Sequence, residues 1–298
     1  MTPTFTTGAD LLRSWSVDVE RGEPPVRYTL PPPFDALDVR PGRLILFGGA
    51  PGGGKTAALL QIGIDLLRLN PAVWLLVANV EMAPTMLMER IVSRLSAVSL
   101  TAIADRTLTT EELDRVKAAV ATLEPVANRL AFLHAPFALE HVAAAGTAFG
   151  ANVLMLDYIQ RFTVGDAMKD KREQLETAAT VLRRFCEAGA AVLVASAVAR
   201  QKHAGGSTYR GLNLASFRGS SELEYSTDTA YLLEPDGAGG ILFRCEKNRY
   251  GAVADIPTAF DPTIQTFTPA PAGIEAFDAV TPTRPAHERA KGSRRCEA

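Results

Sequence analysis

Gly49 is followed, five positions on, by Gly54-Lys55-Thr56, within the stretch GGAPGGGKTA. The glycines of such a loop let backbone N–H groups turn inward around an anion, and the helix start that follows adds its positive dipole end. Lys55 is then placed for β- and γ-phosphates, and the Thr56 hydroxyl for Mg²⁺. Gly49, Pro51, Gly52, Gly53, Gly54 and Ala57 complete the binding loop. Hydrolysis of a bound nucleotide needs two further groups, an acid beside the metal and one orienting water. Asp157 ends the apolar run NVLMLD and Glu81 ends WLLVANVE, each at the C-terminal tip of an expected strand. Beside a phosphate loop, Asp157 reads as the metal-side acid rather than an ordinary turn aspartate. For Glu81, spacing alone fits both a catalytic acid and an acid at the start of the helix after Pro84.

A second pair of residues stands far from that loop. Lys247 and Arg249 alternate on the late run GILFRCEKNR, so both point the same way. They read either as a charged strand edge protected from aggregation or as cations serving a phosphate.

The surrounding pattern supplies the elements that must hold these residues. The strand RLILFG precedes the phosphate loop, a helix over Lys55–Leu69 is stopped by Asn70-Pro71, and AVWLLVANV returns as a strand. Helices are expected after Pro84, from a Thr109/Glu112 capping box to Leu123, over Leu139–Phe149 and from about Asp170 to Ala188. RLAFLH, NVLMLDY and AAVLVASAV are the strands between them. Continuous apolar strands alternating with helices imply an α/β fold with a mostly parallel sheet covered on both faces. TAYLLE, GILFRCEKNR and AVADIPTAF are more closely spaced and suggest antiparallel strands extending it. Three regions follow: a Pro-rich arm over 1–40 with a short helix at Ala9–Val17, an ATPase domain over 41–268, and a disordered tail over 269–298.

Composition fits such a body. The chain has 298 residues, 47% of them hydrophobic, and a net charge of −2, which argues against a basic nucleic-acid coat but permits a local basic channel. Three widely spaced cysteines and four scattered histidines indicate neither a disulfide framework nor a metal cluster. Apolar runs are too short to cross a bilayer and the N-terminus lacks a signal pattern, so a cytoplasmic location is expected.

Taken together, these blocks resemble the C-terminal, RecA-like ATPase domain of DnaB-type replicative DNA helicases, from about Arg27 to Phe267. The similarity lies in GAPGGGKTA, in NVEMAPTMLMERIVSRLS, in VLMLDYIQ, in FRGSSELEYSTDTAYLL and in EKNRYG, in that order. The resemblance implies ATP and Mg²⁺ as cofactors, Glu81 as the glutamate polarising water, and Lys247 and Arg249 as fingers acting in a neighbouring subunit's site. It also implies a homo-oligomer, a ring of six, moving on single-stranded DNA. The DNA contacts would come from two basic loops, GDAMKDKRE with Lys169, Lys171 and Arg172, and RQKHAGGSTYRGLNLASFRG with Arg200, Lys202, Arg210 and Arg218. Arg218 matches the family's Leu-Arg position. Ala197 stands where the family has a glutamine, and Arg218-Gly219-Ser220-Ser221 departs from Arg-Glu-Ser-Gly. Two functions remain open at this point: a ring helicase or translocase, and a DNA-associated RecA-like ATPase acting as regulator or loader. A monomeric small-molecule kinase would leave Lys247 and Arg249 without a role.

Overall fold

The computed structural model describes residues 5–165, 170–198, 201–203, 206–208, 221–237 and 239–271. Helix α1 (Gly8–Arg21) comes first, capped by the Thr7 side chain and closed at Gly22, and none of its residues is buried. Leu11, Leu12, Trp15 and Val19 are all exposed. The helix is longer than the Ala9–Val17 expected. The Pro-rich segment after it is no loose arm: Tyr28, Leu30, Phe34, Leu37 and Val39 are buried in the main core. Apolar side chains between the prolines pack down, and Asn70 ties this segment to the body by exchanging two hydrogen bonds with Thr29.

Strand β1 (Leu44–Gly49) is buried throughout because helices cover both faces of the sheet. Ile45 and Phe47 join one apolar cluster, while Leu44 and Leu46 join the other, the period-two alternation of a strand divided between two cores. The phosphate loop leads into α2 (Lys55–Leu69), which ends at Asn70 as expected, and β2 (Leu75–Asn79) follows. Next come α3 (Pro84–Ser96), a short α4 (Leu100–Ala104) and α5 (Thr110–Leu123), the last opened by the anticipated capping box of Thr109 and Glu112. Strand β3 (Leu130–Phe132), α6 (Leu139–Phe149), β4 (Val153–Asp157), α7 (Lys171–Glu187) and β5 (Ala191–Ala197) complete the α/β alternation.

A hairpin of β6 (Gln201–His203) and β7 (Gly206–Thr208) leaves the tip of β5. After α8 (Ser221–Ser226), four strands finish the chain: β8 (Thr229–Pro235), β9 (Gly240–Asn248), β10 (Ile256–Asp261) and β11 (Thr266–Pro269). The main sheet runs β11-β10-β9-β8-β1-β5-β4-β2-β3. Its members from β8 to β3 are parallel, and β9, β10 and β11 extend it antiparallel, the arrangement the sequence pattern anticipates. Strand β11 escapes the sequence pattern, because TFTP is too short and too polar to read as a strand. Among the described residues, no helix is long and apolar enough to cross a membrane.

Candidate nucleotide site and its opposite edge

The parallel strands end together, so the turns after β1, β2, β4 and β5 share one edge of the sheet. Gly52 and Gly54 take φ of 74° and 83°, a left-handed geometry that glycine adopts without strain. A Cβ on Gly54 would lie 2.9 Å from Phe267 Cζ, so the position also has no room for a side chain. No side chain caps α2, whose first N–H groups therefore face the loop. Lys55 Nζ donates to the Gly49 and Ala50 carbonyls at 2.8 Å each, and burial pushes its pKa down, although Asp157 and Glu81 hold it up.

Thr56 Oγ1 donates to Asp157 Oδ2 at 2.5 Å, so residues 101 positions apart meet where the sequence reading places them. Asp157 is 4% exposed, and burial pushes its pKa up, against the pull of the Thr56 hydroxyl and of Lys55. A hydroxyl and a carboxylate oxygen side by side form a hard donor set that suits Mg²⁺. With the glycine cradle and the open helix start, these residues fit a metal-bound nucleotide.

Glu81 is exposed just beyond β2, close enough to raise both the Lys55 and Asp157 values electrostatically. Its position is set by a residue that sequence reasoning missed. Asn79 pairs with Asp157 across β2 and β4, donates to Asp157 Oδ2 at 2.9 Å, and accepts from the Glu81 and Met82 N–H groups at 2.9 and 2.8 Å. One buried amide thus locks the metal-side acid to the turn that carries Glu81. An asparagine ending an apolar strand has no motif to announce it.

Two more missed residues lie nearby. Phe260 stacks on Phe267 with centroids 4.3 Å apart, and its ring edge is 3.6 Å from the Cβ position of Gly54, giving a half-buried aromatic face beside the loop. Gln160 closes on the tip of β5, donating to Ser196 Oγ at 2.7 Å and to the Ala197 carbonyl at 3.1 Å while accepting from the Ala197 N–H. Ala197 is level with Gly49 in the neighbouring strand. The strand tip that lacks a glutamine of its own therefore carries an amide from the next strand end.

Lys247 and Arg249 are elsewhere. Gly49 is level with Leu233 and so with Phe243, whereas Asn248 is level with Thr229 and so with Ile45. Four residues of β1, about 13 Å at ~3.3 Å each, separate those levels, the fifth residue counted along β9 being a bulge. The two cations therefore sit at the sheet edge opposite this chain's own phosphate loop. They do converge, as their alternation implies: Lys247 Nζ donates to the Glu224 and Tyr225 carbonyls at 2.6 and 3.3 Å, and Arg249 Nη2 to Tyr225 O at 2.8 Å. Arg249 Nη1 also donates to Asp228 Oδ1 at 3.0 Å. Burial and the Arg249 charge push the Lys247 pKa down.

Of the expected DNA contacts, Lys169, Arg200, Arg210 and Arg218 lie outside the described residues. The backbone of Lys202 is on β6 and that of Lys171 begins α7. Arg172 is exposed on the first turn of α7 and ion-paired with Glu176 at 3.0 Å. In sequence the two segments follow β4 and β5, the strands whose tips flank the phosphate loop.

Residues 36–269, which carry these tips and turns, match a known family model, that of the DnaB-like helicase C terminal domain. The chain belongs to that family. Like its other members, this DnaB-like chain is an ATP-hydrolysing helicase of replicative type, with a RecA-like fold. A solved structure described as an ATPase domain is similar, with a TM-score of 0.77 at 17% identity over 90% of this chain and 100% of that one. A DnaB-like replicative helicase, described with its interactions with primase, has a TM-score of 0.74 at 17% identity over 89% of this chain and 67% of that one. No curated protein matches the DnaB-like chain at significant similarity. DnaB-like helicases use nucleotide, bind single-stranded DNA and form oligomers.

Proposed function

We propose that each subunit hydrolyses ATP only when a neighbour's Lys247 and Arg249 complete its site, in a closed ring of six that moves on single-stranded DNA. The observation that carries this reading is the placement of the two cations away from their own phosphate loop, by about 10 Å of strand for Lys247, level with Leu46, and about 17 Å for Arg249, beside Asp228 and Leu44. A cation on one edge and a phosphate loop on the other meet when copies associate head to tail, an interface that closes into a ring under the right rotation. The exposed apolar side of α1 supports association with another copy.

Within one subunit, Thr56 and Asp157 hold Mg²⁺ and the glycine loop holds the phosphates of ATP. The metal would draw charge from the phosphate oxygens. Lys55 exchanges its two loop carbonyls for phosphate oxygens. Glu81, fixed through Asn79, orients and polarises water. The Phe260 face offers the base a flat apolar surface. Arg249 then supplies positive charge to the phosphoryl group in transfer, which ties turnover to ring geometry. Arg218, Arg200, Lys202, Arg210, Lys171 and Arg172 are the cations proposed to follow the DNA backbone, by salt-sensitive phosphate contacts.

Mixing tests the shared site directly. Lys55→Ala and Arg249→Ala proteins should each be inactive in DNA-stimulated ATP hydrolysis, and the mixture should recover activity, because some interfaces then pair an intact loop with an intact finger. Full activity of Arg249→Ala alone would exclude the shared site. Unwinding of a forked duplex by the unmodified protein tests translocation separately.

A further inference from the structure

The surroundings of Arg249 contain a group that neither half of the nucleotide site uses. Asp228, between α8 and β8, is fully buried and accepts three hydrogen bonds. Arg249 Nη1 reaches its Oδ1 at 3.0 Å, while Arg183 Nη1 on α7 and the Leu44 N–H reach its Oδ2 at 2.8 and 3.0 Å. The Arg249 backbone N–H is also bound to the Asp228 carbonyl at 2.9 Å. One buried carboxylate therefore has two guanidinium partners, each on its own oxygen.

A structural ion pair needs only one. A buried carboxylate stripped of its sole counter-ion is strongly destabilised, so a single arginine on Asp228 would be held there. With Arg183 and Leu44 remaining on Oδ2, Asp228 stays neutralised and hydrogen-bonded when Oδ1 is given up. Arg249 is also the more exposed partner, its side chain 40% accessible against 28% for Arg183. Its other side-chain contact, the carbonyl of exposed Tyr225, can be hydrated when Arg249 leaves.

We propose that Asp228 is a parking site for the Arg249 finger and that Arg183 is the positioning residue that makes the finger releasable. The proposal rests on the shared-site reading above, since a finger needs release only if it acts elsewhere. Arg183 touches no phosphate: it acts by remaining as the counter-ion whenever Arg249 leaves.

The test measures kcat and KM for ATP in the full chain with single-stranded DNA present, alongside thermal melting. Arg183→Gln leaves Arg249 as the only charge on Asp228, and kcat should fall about tenfold or more, the effect of one charge-assisted hydrogen bond that must be broken in each cycle. KM should change less than about twofold, because the phosphate loop is untouched. Arg183→Lys keeps the counter-ion and should restore most of kcat. The Arg183→Gln/Asp228→Asn double variant removes the charge that traps the finger while an amide oxygen still accepts from Leu44, so its kcat should return to within about threefold of the unmodified protein. An unchanged kcat in Arg183→Gln, or a double variant as slow as the single one, overturns the proposal. If Arg183→Gln fails to fold, the double variant decides: a slow but folded double variant overturns the parking site and a fast one supports it. The Lys55→Ala and Arg249→Ala mixture separates the two readings. No recovery there removes the shared site itself, whereas recovery combined with normal turnover in Arg183→Gln removes only the parking role.

Discussion

The two edges of the sheet hold their charges in opposite ways. At the phosphate-loop edge, Asp157 is buried and joined to Thr56 and Asn79, and Asn79 is joined in turn to the turn bearing Glu81. The first two bonds cross between rigid elements, α2 to β4 and β4 to β2, and the third fixes the adjoining turn, so geometry is set before any ligand arrives. At the other edge, Lys247 and Arg249 are partly exposed and bind carbonyls at the end of a six-residue helix and one carboxylate oxygen. Those contacts are ones that phosphate oxygens can replace. Preorganised charge costs no rearrangement at the moment of reaction, which is where catalysis by electrostatics draws its strength. A charge delivered from outside must instead be able to move. On the proposed shared-site reading, this contrast is that between a fixed half and a mobile half of the site.

The largest expected effect breaks the contrast at its mobile end. Arg249→Ala should lower kcat by about 10³-fold or more, the scale of an arginine finger. Nucleotide affinity of the isolated subunit, measured by equilibrium titration, should stay the same, since Arg249 is far from its own loop. Lys55→Ala should do the reverse to binding and weaken nucleotide affinity along with turnover. Weakened affinity in monomeric Arg249→Ala would mean that the cation reaches its own site.

A smaller effect tests the fixed end. Asn79→Ala removes one donor from buried Asp157 and the shared acceptor of the Glu81 and Met82 N–H groups. The cost should be about 1–3 kcal/mol of unfolding free energy, the scale of buried polar groups left unpaired, with kcat lowered and finger complementation unaffected. The pH dependence has a defined sign. Burial already raises the Asp157 pKa in the folded state, so folding takes up a proton between the unfolded and folded values. Stability of the nucleotide-free protein should rise as pH falls through that window, and losing the Asn79 donor, which lowers the value, should widen it. Urea titrations at several pH values read both effects, and an unchanged unfolding free energy would mean that Asn79 is not the link.

Much of the fixed half was legible because it is local. The phosphate loop, the helix over Lys55–Leu69, the Thr109 capping box and the acids at strand tips each carry their signal within a few residues, and α2 and α6 lie over the spans expected. What escaped notice depends on long-range pairing. Asn79 matters through Asp157, and Asp228 through Leu44 and Arg183, partners 184 and 45 positions away. No local spacing encodes such a meeting. Phe260 reads as an ordinary strand aromatic and Phe267 falls in a run too short and polar to read as a strand, since only the fold brings them to Gly54. Proline density misled in the other direction: Tyr28 to Val39 looks like linker but packs into the core, because proline restricts the backbone without keeping its neighbours out of contact. The separation of the two edges was also hidden, since it follows from β8 running parallel to β1 and β9 antiparallel to β8.

The smallest effect asks whether the mobile half is loosely attached throughout. Tyr250, directly after Arg249, is 53% exposed, with the Arg43 guanidinium 3.1 Å from its ring centroid. A cation over an exposed ring is worth about 0.5–1 kcal/mol. Tyr250→Ala should therefore lower the unfolding free energy by that amount, read as a lower urea midpoint with an unchanged slope, as expected when a contact is lost without altering the surface exposed on unfolding. A loss of several kcal/mol would place Tyr250 in a rigid structural element. Arg249 would then hang from a fixed support, and the division between a preorganised edge and a movable one would fail where it is most easily measured.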